Sequence, residues 1–230
     1  MLIKNLKEDF DPSELNDSVA LKTYWGSTGA STSSYRTHKL VQINSNRIEF
    51  KASLQEKAGS LSFFIIGALV VFAPIYGFIF HIYGLISNTS QVFSMMGLGL
   101  IFMSVGAYLF YIAIKPIVFD KNDGYFWKGR VEPKNVLIKD SIVDDWIALD
   151  KIHALQLINR YVRGSTDADG HRSSSYYGYE LNLVLDDGKR LNVLSHGNRY
   201  CIIEDTKVLS KFLQKPIWNT TNTVMEWDTI

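Results

Sequence analysis

Five histidines (His38, His81, His153, His171 and His196) and a single cysteine, Cys201, are the side chains of this 230-residue chain best suited to proton transfer, metal ligation or nucleophilic attack. The histidines are scattered. No pair has metal-ligand spacing with a Cys or a carboxylate on the same element, so neither a metal nor a cofactor is expected. Ser195-His196 falls at a strand end without a nucleophile elbow or an acid to orient the ring, and Cys201 opens a helix with no base beside it. Asp186 and Asp187 are neighbouring turn residues whose side chains diverge, which does not make an acid/base pair. No reaction is legible, and the chain is expected not to be an enzyme.

Recognition chemistry is better represented. Residues 164–176 form a long Ser- and Gly-rich loop bordered by Arg160, Arg163, Arg172, Tyr176 and Tyr177, which together read as a partner-binding surface carried on rigid strands. A solvated hairpin tip is the plain alternative, and an open sheet edge that accepts a partner strand is another route to binding. The second Ser-rich stretch, residues 26–34, lacks the Gly-x4-Gly-Lys-Ser/Thr spacing that cradles phosphates and reads as a flexible loop. With 24 Lys and Arg against 23 Asp and Glu, the net charge of +1 argues against a nucleic-acid partner, which needs a basic face to neutralise phosphates.

The elements that must position these residues divide around an uncharged middle. Residues 61–86 and 92–114 contain no Lys, Arg, Asp or Glu and are joined by Ser87-Asn88-Thr89-Ser90-Gln91. A bilayer core is about 30 Å thick and a helix rises ~1.5 Å per residue, so each segment can cross it. A soluble core helix is the competing reading, but it would carry a polar stripe, and here the apolar character runs all the way round. The mean hydropathy of 0.00 hides this hairpin by averaging it with two polar flanks. Arg47, Lys51 and Lys57 precede the first span and Lys115, Lys121, Lys128 and Arg130 follow the second, while the connector has no Lys or Arg. The positive-inside rule therefore expects both termini in the cytoplasm. The first residues lack an apolar run of signal-peptide length, so the first span itself is expected to insert. Cys201, having no second cysteine to pair with, agrees with a reducing compartment.

Within the spans, Gly77 and Gly84, and Gly99 and Gly106, lie seven residues apart and so on one helical face. Folding about the five-residue connector sets Gly84 near Gly97 and Gly77 near Ser104, the small-residue arrangement that close helix packing or self-association requires. Pro74 is expected to kink the first helix, and His81, within two turns of the connector, is a titratable group that water can reach.

Outside the spans, Asp11-Pro12 reads as a helix cap and first position, and residues 40–43 and 47–50 read as a β-hairpin about Asn44-Ser45-Asn46. A lone hairpin is marginal, so it must pack on the C-terminal part or the membrane surface. Short alternating segments follow: residues 117–119 and 125–130 about Asn122-Asp123-Gly124, then 135–138, 145–149 and 152–161, and finally 177–185 and 190–195 about Asp186-Asp187-Gly188. An amphipathic helix over 199–213 is stopped by Pro216.

About seven strands and one closing helix form the pattern of a pleckstrin-homology-like (PH-like) domain. The stretches Ile147-Ala-Leu-Asp-Lys-Ile-His-Ala-Leu-Gln-Leu-Ile158, Glu180-Leu-Asn-Leu-Val-Leu-Asp-Asp-Gly-Lys-Arg190 and Phe212-Leu-Gln-Lys-Pro-Ile-Trp-Asn219 resemble those of bacterial proteins that place such a domain after two membrane spans. The expected fold is thus an α+β membrane protein: an N-terminal flank (1–57), a transmembrane helical hairpin (58–116), a PH-like β-sandwich capped by one helix (117–219) and a tail (220–230). What the resemblance implies is binding rather than turnover. Phosphoinositide recognition is not expected, because Lys121, Lys128 and Arg130 in the first strand-turn-strand are diluted by Asp120 and Asp123.

The expected function is a non-catalytic scaffold or regulator that binds an unidentified protein at the cytoplasmic face of a bacterial inner membrane. A membrane-resident immunity protein that neutralises a toxin is the alternative. An oligomeric channel would need polar pore-lining positions that the spans lack.

Overall fold

The computed structural model describes residues 10–79, 89–133, 146–166 and 169–221. It is α+β, with three α-helices and two sheets, and divides into two compact units: residues 1–51 with 116–230, and residues 52–115. The N-terminal flank is therefore part of the same unit as the C-terminal half, and the apolar segment is an insertion within that unit's chain.

The first sheet runs β1 (His38–Asn44), β2 (Arg47–Ala52), β3 (Ile117–Asp120), β4 (Tyr125–Lys128) and β5 (Trp146–Ala148), in that spatial order. Asn44 Oδ1 accepts the Asn46 N–H at 2.8 Å, closing the first hairpin. Gly124 closes the β3–β4 turn at φ +78°, a left-handed conformation that a Cβ would strain, with its N–H donating to the Asp120 carbonyl. β2 and β3 pair antiparallel, Arg47 opposite Asp120 and Phe50 opposite Ile117, although residues 53–116 separate them in sequence. The strand expected at residues 135–138 lies outside the described residues.

The second sheet has the order β8 (Arg190–His196), β7 (Tyr176–Leu185), β6 (Ile152–Val162), β9 (Ile217–Asn219). β9 has only three residues, too few for an alternation to show in the sequence. It runs parallel to β6, with Leu155 opposite Ile217. Helix α3 (Arg199–Leu213) begins where Asn198 accepts the Cys201 N–H at 2.9 Å, and ends at Gln214, which takes the left-handed conformation before Pro216. Ile48, Phe50, Phe119 and Phe126 of the first sheet, Leu155, Leu157, Leu181 and Leu183 of the second, and Ile202, Leu209 and Phe212 of α3 form one buried cluster.

A second cluster lies on the opposite face of the second sheet, because alternate strand residues face opposite ways. Ala154, Ile158, Val184 and Trp218 meet Ala20 and Trp25 there, with Phe10, Leu15 and Val19 packed around them. The N-terminal segment, which opens with one 3-10 turn (Pro12–Leu15) capped by Asp11, is thus a cover on this sheet.

The other unit is a pair of helices, α1 (Leu54–Ile79) and α2 (Thr89–Ala113). α1 starts about two turns before the uncharged run, admitting Glu56 and Lys57, and continues through Pro74. Thr89, Ser90 and Gln91, expected in the connector, form the first turn of α2, because polar residues mark an aqueous boundary rather than the end of helical backbone. The helix contact is also shifted. A Cβ on Gly67 would stand 2.5 Å from Met103 N and 2.7 Å from the Gly99 carbonyl, and one on Gly106 would strike the Phe64 backbone. Gly99 and Gly106 therefore lie on the contact, where Gly67, unremarked in the sequence, faces Gly99 and Phe64 faces Gly106. Gly97 has open space around it and Ser104 is exposed, its hydroxyl turned back to the Leu100 carbonyl, so neither packs against α1. In this register Gly77 does not face Ser104. Gly84 and His81 lie outside the described residues.

Candidate recognition surface

The β6–β7 hairpin carries the five residues singled out for binding, and the fold separates them into two groups. Arg163, Arg172 and Tyr177 are exposed at the tip. Tyr177 and Tyr161, which the sequence reading passed over, bring their ring centroids within 5.3 Å and are 42% and 39% exposed, a pair of large aromatic surfaces open at the end of the sheet. The loop is pinched at its neck, where Thr166 and Arg172 form an isolated bridge and Ser173 N–H donates to the Ser165 carbonyl.

Arg160 and Tyr176 are engaged by the chain itself. Arg160 donates to the Ala30 carbonyl at 3.1 Å and to Ser27 Oγ at 3.3 Å, and Tyr176 Oη donates to the Thr32 carbonyl at 2.8 Å. Residues 26–34, expected to be a free loop, lie along the second sheet. Their central contact is Glu180, 1% exposed, which accepts the Thr28 N–H at 3.0 Å, the Thr28 hydroxyl at 2.9 Å and the Ser27 hydroxyl. Beside it, Gln156 Nε2 donates to the Tyr24 carbonyl while Gln156 Oε1 accepts from Asn182 and Arg190. The Arg190 guanidinium lies 5.0 Å from the Tyr24 ring centroid, and burial lowers its pKa. Glu180, Asn182, Arg190 and Asn192 alternate with apolar residues, a pattern that reads as a solvent-facing stripe. Nothing in the alternation distinguishes water from a covering peptide.

The expected chemical candidates are dispersed or occupied. Ser195 Oγ accepts from Asn192 at 3.1 Å, while His196 Nδ1 accepts the Asn198 N–H at 3.2 Å and its Nε2 is buried without a partner among the described residues. Burial, with Arg36 and His38 nearby, holds His196 at a pKa of about 4, and burial with Lys128 nearby does the same for His38. Arg36 bridges to Asp205 of α3 at 2.6 Å, and burial raises that carboxyl's pKa against the arginine's pull. His153 meets Asp17 at 2.7 Å and so pins the N-terminal cover to β6. Among the described residues no three His, Cys, Asp or Glu side chains come together as a metal site. An open cavity of about 330 Å³ is lined by Asp123, Tyr125, Pro133 and Trp146.

No family model, curated protein or solved structure matches this chain.

Proposed function

We propose that the chain is a membrane-anchored, non-catalytic binding module whose PH-like domain receives a protein partner at the cytoplasmic face of a bacterial inner membrane. The observation that carries the anchor is the exposure of α1 and α2: only 17% of the most apolar stretch of the first and 11% of the second is buried, leaving Leu69, Phe72, Phe93 and Ile101 more than half open. Water does not tolerate a continuous apolar surface of that extent, whereas lipid does. Two sheets sharing one core with a C-terminal helix support the PH-like reading. The open Tyr161–Tyr177 pair flanked by Arg163 and Arg172 supports protein recognition, since Tyr and Arg dominate binding hot spots.

Membrane fractionation and labelling of the native Cys201 test the anchor and its orientation. The full-length chain is expected in the membrane fraction, with Cys201 reacting with an impermeant maleimide only after the cells are opened. Recovery as a soluble protein, or labelling of intact spheroplasts, overturns the reading. Binding is tested by co-purification with detergent-extracted full-length protein, where R163E and R172E with Y177A are expected to abolish capture of whatever the wild-type chain retains.

A further inference from the structure

The face of the second sheet that holds the N-terminal segment has two parts of opposite character. Under residues 10–25 it is largely apolar, with Ala154, Ile158, Val184 and Trp218 receiving Trp25 and Ala20, and its polar contacts are Gln156 and Arg190 at Tyr24 and His153 at Asp17. Under residues 26–34 it is polar, built from Glu180, Arg160 and Tyr176, with the bare backbone of Gly178 beneath Thr32. A cover meant to be permanent gains most from apolar contact, because buried charges lose much of their attraction to desolvation. We propose that residues 26–34 are a releasable strap, and that the polar seat beneath them docks an extended Ser- and Thr-rich segment of a partner protein that takes the strap's place.

Four observations carry this inference. First, the bonds between strap and seat run through side chains: Ser27 and Thr28 to Glu180, Arg160 to Ser27 and Ala30, and Tyr176 to Thr32. Such bonds can be replaced by bonds to water when the strap opens, which apolar contacts cannot. Second, no residue of 26–34 belongs to either apolar cluster, although the strap is anchored on both sides, by Trp25 in one cluster and by the Arg36–Asp205 bridge. Opening can therefore stay local.

Third, Thr32 is poorly satisfied where it lies. Its Oγ1 is buried without a hydrogen-bond partner among the described residues, and a Cβ placed on Gly178 would stand 2.8 Å from its methyl carbon. Fourth, the seat is cut to accept a laid-across backbone. Gly178 in β7 and Gly197 after β8, where a Cβ would stand 2.5 Å from the Ser34 carbonyl, leave two points on the path of the strap without a side chain, at Thr32 and Ser34. The strap itself states the ligand's chemistry: a hydroxyl pair and an N–H for Glu180, carbonyls for Arg160 and Tyr176, and small residues over Gly178.

The proposal rests on the binding-module reading for its partner, but its test does not depend on membrane residence. Hydrogen exchange of the full-length protein in detergent is expected to show strap amides exchanging about 100-fold faster than those of β6 and β7, with residues 16–25 staying protected. A labelled synthetic peptide of residues 24–36 is then added in trans to the wild-type chain and to the S27A/T28A variant, whose own strap is loosened. At least about tenfold tighter binding to the variant is expected, with competition by unlabelled peptide. Strap amides that exchange only as fast as β6 and β7, or a loosened variant that binds no peptide, overturn the proposal. So does a dimer formed by strap exchange in light scattering, which makes the seat a self-association device. Failure of fractionation alone leaves the seat intact and sinks only the membrane anchor.

Discussion

The backbone N–H and the hydroxyl of Thr28 both donate to Glu180 Oε2, at 3.0 and 2.9 Å, joining residues 152 positions apart in sequence. This contact turns a serine-rich stretch without a readable motif into the cover of a buried carboxylate. Its consequences, and those of the packing around it, are open to direct measurement. Residues 52–115 contain no tryptophan, whereas Trp25, Trp127, Trp146 and Trp218 lie in the two-sheet unit, so tryptophan fluorescence reports its unfolding separately from the helical pair.

Replacing Glu180 by Leu removes three hydrogen bonds to a buried carboxylate and takes its charge away from Arg190 nearby. Bonds to charged groups contribute about 1.5–3 kcal/mol each but overlap when they share a carboxylate, so a loss of about 2–4 kcal/mol is expected. Urea unfolding followed by tryptophan fluorescence checks it. An unchanged midpoint means that the contact does not hold the strap.

Thr32→Val moves stability the other way. The Thr32 carbonyl still accepts from Tyr176, while the buried hydroxyl without a partner is gone. Removing such a group is expected to stabilise by about 1 kcal/mol and to slow exchange of the strap amides, and faster exchange contradicts the account.

Trp25 packs against Phe10 at 4.5 Å and Trp218 at 5.6 Å between ring centroids, and its indole N–H donates to the Ala20 carbonyl at 3.0 Å. Trp25→Ala is expected to cost about 3–5 kcal/mol and to release residues 10–25 to proteolysis. Should the cleavage pattern of this variant match that of the wild-type chain, Trp25 is not the anchor.

The two-sheet unit is expected to lose stability in mild acid. Folded His38 and His196 have pKa values of about 4 against an ordinary 6.5, so between those values the unfolded chain binds more protons. Stability is then full above pH 6.5 and falls as pH drops towards 4, by about 1.4 kcal/mol per pH unit for each histidine that stays neutral when folded. Asp205, whose raised pKa favours proton uptake in the folded state, offsets part of this loss at the acid end. Unfolding midpoints at pH 7.5, 6 and 5 should slope downward, and H196Q should flatten the slope. An equal slope in both proteins assigns the effect elsewhere.

In the helical pair, Gly67, Gly99 and Gly106 mark where the backbones touch. Gly106→Leu is expected to force α2 from Phe64 at a cost of about 1–3 kcal/mol, whereas Gly97→Leu points into open space and is expected to be neutral. Denaturation in mixed micelles followed by helical circular dichroism separates them. Equal midpoints refute the register.

Local chemistry made much of the chain legible. Asn122-Asp123-Gly124 and Asp186-Asp187-Gly188 mark their turns because positive φ at glycine closes a hairpin whatever surrounds it. Pro216 ends α3 for an equally local reason, and two runs without a charge announce apolar helices. Even the helical register was beyond the sequence: the five polar residues at 87–91 imply a tight connector, yet α2 already begins at Thr89, which moves every facing pair along the helices.

What only the tertiary structure decided are the pairings that span distance and the identity of what covers a surface. β2 meets β3 across residues 53–116, and β9 joins β6 in parallel, because strands of three to six residues carry too little pattern to name a neighbour. The alternation of Glu180, Asn182, Arg190 and Asn192 records that one sheet face is polar. Water and a serine-rich segment of the same chain satisfy those groups equally well in sequence terms, since both offer donors and acceptors. The choice between them is made by shape, where Gly178 and Gly197 let the backbone at Thr32 and Ser34 come close.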